Sequence, residues 1–137
     1  MNPRDIRSPV ALVLNAHHAL RRALCERIRA SFANIRILEA VTIDDALYML
    51  DAEHIDVVLI DGDRSGVSGL TSTRAILERS PGSSVVVMSA LTEPSCHDAA
   101  SRAGAMAFVN KRAIGSDLMQ VLGALIEEHR AKDRDAP

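Results

Sequence analysis

Aromatic side chains are nearly missing from this chain of 137 residues, which has no tryptophan, one tyrosine (Tyr48) and two phenylalanines (Phe32 and Phe108). Its core must therefore be aliphatic. Cysteine is equally scarce: Cys25 and Cys96 lie far apart, form no CxxC pattern and fall in segments that read as helix. A disulfide framework is not indicated, and a reduced, buried pair in a cytosolic chain is expected. No charge excess exists either, since 16 basic residues face 18 acidic ones, for a net charge of -2 and a pI near 6.2. That balance offers no overall attraction to DNA, RNA or anionic lipid, so direct nucleic-acid binding is not expected. No stretch reaches the roughly 18 apolar residues of a membrane span, and the opening MNPRDIRSP has no apolar core of signal-peptide length. A cytoplasmic location without membrane contact is the expectation.

What is present is a globular composition, 47% apolar and 25% charged, in a length that suits one domain with its own core. ALVLN (11–15) is too short for a helix and reads as a first strand. Leu20, Leu24, Ile28 and Phe32 recur every four residues, the mark of one helix face. IRILEA (35–40) returns to strand spacing. Thr42 then caps a short helix over about 43–51, with Asp45 at the third position of a variant capping box. Ile55 to Ile60 is the continuous β-branched and leucine run of a central parallel strand buried on both faces.

GDRSGVSG (62–69), directly after Asp61, is a glycine-bearing loop, followed by a helix from about Leu70 to Arg79 that SPGS closes. VVVMS (85–89) is a further buried strand, Thr92 caps a helix of about 93–103, and Gly104 ends it. MAFVN (106–110) is a fifth short strand. The last helix is expected over about Ser116 to His129, with Leu118, Val121, Leu122, Leu125 and Ile126 on its apolar side. RAKDRDAP reads as a charged tail, either a frayed terminus or the start of a linker. The domain is thus expected over 9–130, with 131–137 outside it.

Five βα repeats with short connections make a doubly wound α/β sheet, in which ligands bind outside the carboxyl ends of the strands. The polar residues at those ends are Asn15, Ala16 and His17; Asp61 and Asp63; Ser89; and Asn110 and Lys111. A carboxylate beside an ammonium and a small hydroxyl suits phosphoryl transfer to oxygen. Asp61 would be the nucleophile, Lys111 the fixed cation and Ser89 a donor to a phosphoryl oxygen.

At this point the chain resembles the receiver domains of bacterial two-component response regulators, especially those that precede a helix-turn-helix output domain. The likeness runs from ALVLNAHHALRRAL through DVVLIDGDRSGVSGL and VVVMSALTEPSCHDAASRAGAMAFVNK to the last helix. It implies a flavodoxin-like fold with strand order 2-1-3-4-5 and phosphorylation of Asp61 by a histidine kinase or phosphotransfer protein. It further implies a bound Mg2+, Ser89 and Lys111 as the accompanying hydroxyl and lysine, and Phe108 at the aromatic switch position. Homodimerisation or output contacts through helix 4, strand 5 and helix 5, and a DNA-binding output domain beyond Pro137, also follow from the resemblance.

One part departs from the family. Two adjacent acids usually follow strand one, and this chain has Asn15 and Ala16. Asp61, Asp63 and a weak Asn15 are the remaining metal candidates, and weakened Mg2+ affinity is expected. Arg64 and Ser65 also stand where methionine and proline are common. Asp63 either lends its side chain to the metal or is an exposed loop acid, the plainer reading. Phe108 is either a switch or a permanent core residue. His17 and His18 read as the start of helix one rather than a metal site, and His54, His97 and His129 as surface or helix-end residues. Three functions compete: a phosphoryl-accepting receiver and not an enzyme, an atypical receiver acting as a phosphorylation-independent interaction module, and a phosphate-ester hydrolase using Asp61.

Overall fold

The computed structural model describes residues 8–63, 68–91 and 93–135. The expected cap at Thr92 and the altered loop positions Arg64 and Ser65 lie outside them. The elements are β1 (Val10–Leu14), α1 (His18–Ser31), β2 (Arg36–Ala40), α2 (Ile43–Ala52), β3 (Val57–Asp61), α3 (Ser68–Arg79), β4 (Ser84–Ser89), α4 (Pro94–Ala103), β5 (Ala107–Asn110) and α5 (Met119–Asp135). All strand pairs are parallel and the order is β2-β1-β3-β4-β5, as the resemblance implied.

The aliphatic runs explain why the sheet is covered on both sides, because successive side chains of a strand point to opposite faces. Leu12, Leu14, Val58, Ile60, Val85 and Val87 pack on one face with Ala46, Leu50, Ile76 and Ala100 from α2, α3 and α4. Val13, Val57, Leu59, Val86, Met88 and Val109 face the other way, onto Leu24 and Ile28 of α1 and Leu118, Leu122 and Ile126 at α5.

Local chemistry sets the element ends. His17 is the N-cap of α1, its Nδ1 accepting the Leu20 N–H at 3.0 Å, so the His17–His18 pair does begin that helix. Thr42 caps α2 by accepting the Asp45 N–H at 3.1 Å. Gly104 closes α4 at φ 107°, where a Cβ would also lie 2.5 Å from Leu77 Cδ1.

Three expectations need correction. Residues 131–135 are helical rather than a tail, because no glycine or proline interrupts α5 there and Arg134 pairs with Glu127 at 3.1 Å. Before α5, Lys111–Ala113 form a 3-10 turn and Ile114–Leu118 a single π turn, so the regular helix starts three residues beyond Ser116. The cysteines are free but unlike: Cys25 is buried in α1, whereas Cys96 is only half-buried in α4. Burial, followed by the charge of Glu39, pushes the Cys25 thiol above its ordinary value, which keeps it unreactive. No helix among the described residues is long and apolar enough to cross a membrane.

Candidate functional site

β3 delivers Asp61 to the carboxyl edge of the sheet, in register with Met88 of β4. The chain remains tied to β4 one residue further, where the Gly62 N–H donates to Met88 O at 2.7 Å. Glycine is needed here: a Cβ on Gly62 would lie 2.7 Å from Val87 Cγ1, and one on Gly69 would lie 2.7 Å from Gly62 Cα. The first turn of α3 thereby sits directly over the end of β3.

The turn folds the next acid inward. The Asp63 N–H donates to Asp61 Oδ1 at 2.9 Å, and the Asp63 carboxylate accepts from Ser89 Oγ at 2.5 Å and from the Ala90 N–H at 2.9 Å. Lys111, just after β5, places its Nζ 2.8 Å from Asp61 Oδ1 and 3.0 Å from Asp63 Oδ2. Asp61, Ser89 and Lys111 are therefore brought together, with Asp63 at their centre. The exposed-loop-acid reading of Asp63 is wrong: its side chain is 24% exposed, and its carboxylate is turned inward onto Ser89, Ala90 and Lys111. Sequence spacing offered no sign of this, since it depends on how tightly Gly62 turns.

Two carboxylates share one ammonium, and the electrostatics follow. Burial opposes ionisation of Asp63, but hydrogen bonds from Ser89, Ala90 and Lys111 outweigh it and hold the carboxyl below its ordinary range. Burial likewise disfavours charge on Lys111, and the hydrogen bonds and charges of Asp61 and Asp63 reverse that and raise it.

The end of β1 is organised differently. Asn15 is buried; its N–H donates to Ala40 O at 3.0 Å, its Oδ1 accepts the His17 N–H at 2.8 Å, and its backbone carbonyl accepts from Arg21 Nη1 at 2.8 Å. Its Nδ2 is buried without a hydrogen-bond partner among the described residues. Ala16 offers no donor atom. The nearby acid Glu39 is already bound by Arg21 Nε at 3.0 Å and Arg22 Nη1 at 2.7 Å. Arg21 is a buried residue that sequence reasoning missed, because it stands beside the apolar stripe of α1 and reads as solvated.

Phe108 on β5 is half-buried, its ring tilted against His97 with centroids 5.2 Å apart. It borders an inner cavity of about 180 Å³ lined by Gly62, Leu70, Val87, Ser89 and Ala100, and an outer cleft with Asn110, Gln120 and Val121. His97 is exposed, as expected, but His129 is buried and stands with His54 beside Asp56 at the opposite end of β3.

This combination of a five-stranded parallel sheet and an acid, hydroxyl and lysine at three strand ends defines a receiver-type α/β domain. The chain belongs to the response regulator receiver domain family, whose model matches residues 11–123. It is 27% identical over 118 residues to the transcriptional activator protein ExaE of Pseudomonas putida, covering 86% of this chain and 55% of that protein. It is 26% identical over 122 residues to the response regulator UvrY of Escherichia coli, covering 88% and 56%. The chain thus spans about half the length of these curated relatives. A LuxR family DNA-binding response regulator from Silicibacter pomeroyi superposes with a TM-score of 0.76 at 26% identity, covering 88% of this chain and 93% of that one. A CheY-like receiver from Methanospirillum hungatei, at 15% identity and a TM-score of 0.79 over 91% and 98%, shares the fold. Receiver domains are signal-receiving units, generally not enzymes, that interact with kinases or phosphotransfer proteins and typically bind Mg2+ at an acidic pocket.

Proposed function

We propose that this receiver accepts a phosphoryl group on Asp61 from a histidine kinase or phosphotransfer protein, with Lys111 in place of most of the metal's electrostatic work. The observation that carries this reading is the Lys111 ammonium bridging Asp61 and Asp63. Asp61 Oδ1 accepts from the Asp63 N–H and from Lys111 Nζ, and among the described residues Oδ2 carries no such contact. Oδ2 attacks phosphorus, an O–P bond forms, and the N–P bond of the donor phosphohistidine breaks. The pocket then goes from a net charge of about -1 to -2, counting a dianionic phosphoryl group. Lys111 offsets charge on that group, and Ser89 turns from Asp63 to donate to a phosphoryl oxygen.

Magnesium needs near-octahedral oxygen coordination. Here Lys111 bridges both acids, Ser89 takes the other Asp63 oxygen, the Asn15 oxygen is bound by the His17 N–H, and Ala16 has no ligand atom. The orphaned Asn15 Nδ2 presents hydrogen atoms, which suit an anion and not a cation. This donor set does not fit Mg2+, and no step above depends on one.

Breaking the Ser89–Asp63 bond gives the switch its first movement. Phe108, beside the inner cavity, passes it by packing alone to the surface of α4, β5 and α5, because a phenyl ring has no hydroxyl to bond. That surface is the place for a homodimer contact or for a DNA-binding output domain, and the setting is the cytoplasm. A phosphorylation-independent interaction module is the second reading, favoured by one observation: Asp63 already satisfies Ser89 and Lys111 at rest. Intact mass after incubation with a small phosphodonor separates the two. Addition of one phosphoryl group to wild type and none to Asp61→Ala supports transfer; no addition to wild type leaves only the module.

A further inference from the structure

The opposite end of β3 carries a second polar cluster that the receiver function does not use. Asp56, immediately before β3, is 1% exposed. Its Oδ2 accepts the Val10 N–H at 2.8 Å, which ties it to β1. Its Oδ1 faces two imidazoles, His54 Nε2 at 2.9 Å and His129 Nδ1 at 3.5 Å. His54 comes from the α2–β3 connection, like Asp56 itself, and His129 from α5, so two separate parts of the chain meet at one carboxylate oxygen.

We propose that His54, Asp56 and His129 bind a divalent transition metal ion, with zinc the best match. One ligand atom from each residue lies within 4.8 Å of the other two. A four-coordinate ion with bonds of about 2.0–2.1 Å needs ligand atoms roughly 3.3 Å apart, so the most distant pair must close by up to about 1.5 Å, a movement the exposed His54 side chain can make. Two imidazoles and a carboxylate suit zinc and leave Mg2+ poorly served, because magnesium prefers all-oxygen coordination.

The surroundings resemble those of a built metal site rather than a chance cluster. The non-ligating Nε2 of His129 is held by Ser84 Oγ at 2.9 Å, and the second oxygen of Asp56 is held by a backbone N–H. Such outer contacts fix the ring and the carboxylate in orientation. Ser84 Oγ can hold either tautomer of the His129 ring, and the one protonated at Nε2 leaves the Nδ1 lone pair for a cation beside the Asp56 carboxylate. The His54 side chain is 52% exposed, which gives the ion an entry path and leaves the fourth position to water. A bound ion would join α5 to the foot of β3, bracing a helix of the proposed output surface from the end remote from Asp61.

Zinc titration of the chelator-stripped full chain by calorimetry, with cobalt as a spectroscopic stand-in, tests the site. One ion per chain is expected, with visible cobalt bands of four-coordinate type and a raised thermal midpoint. His54→Ala, at an exposed position where folding is safe, should weaken zinc at least tenfold, and His129→Ala should do the same. His18→Ala should leave affinity unchanged. The site is overturned by zinc binding no tighter than millimolar, by affinity that survives His54→Ala, or by affinity lost in His18→Ala. None of these outcomes depends on whether Asp61 is phosphorylated.

Discussion

Two aspartates bracket β3, and their surroundings differ in nearly every respect. Asp61, at the carboxyl end, has a side chain 16% exposed and faces the Lys111 ammonium across the strand-end crevice. Asp56, at the amino end, has a side chain 2% exposed and is clamped by a backbone N–H and two rings. The same residue type thus opens onto the strand-end crevice at one end of β3 and is a buried tie at the other. In a parallel sheet this asymmetry is built in, because the connections that open into a crevice leave from the carboxyl ends.

The largest effect should come from breaking the tie. Asp56→Ala leaves the Val10 N–H and the rings without their acceptor and should cost about 3 kcal/mol in urea unfolding, while Asp61→Ala should change stability by less than about 1 kcal/mol. Equal losses at both ends would erase the contrast. Next in size, Lys111→Ala should slow phosphoryl uptake on Asp61 by about 100-fold or more, the scale of losing one oriented charge stabiliser. A mutant as fast as wild type would show that Lys111 only fills space.

Restoring acids with Asn15→Asp and Ala16→Asp should tighten Mg2+ binding about tenfold, read by titration. An unchanged affinity would mean that the Lys111 bridge, and not the missing acids, excludes the ion. The smallest effect concerns pH. Asp63 is held below its ordinary value, so its stabilisation is present above about pH 3.9 and is lost as pH falls through its folded value. Lys111 is held above its ordinary value, so its share is present below about pH 10.4 and is lost as pH rises through the raised value. Between these limits this pair adds no slope, and Asp63→Asn should remove its acid limb and also shrink the alkaline one, because Asp63 helps to raise Lys111.

The fold was legible because five aliphatic runs too short for helices alternated with helical segments, and the three most continuous runs, β1, β3 and β4, had to be buried on both faces. Strand ends also made Asp61, Ser89 and Lys111 legible as one group, since topology alone gathers them. Asp63 was not, because its direction depends on the turn at Gly62 and its bond to Met88 O. His129 was missed for a related reason: α5 continues to Asp135, so a residue that reads as a helix end lies within the helix and packs against Asp56 and Ser84. Asn15 could be read as a lost acid, but not as a buried amide with a spare donor, which only packing decides.

The central claim is that Lys111 supplies the cation that Asp61 needs. Intact mass of wild type with a small phosphodonor, followed over time with and without Mg2+, tests it directly. The account predicts one phosphoryl group added to Asp61 at a slow rate that magnesium changes little. Uptake that occurs only when magnesium is present, or no uptake in either condition, would contradict it.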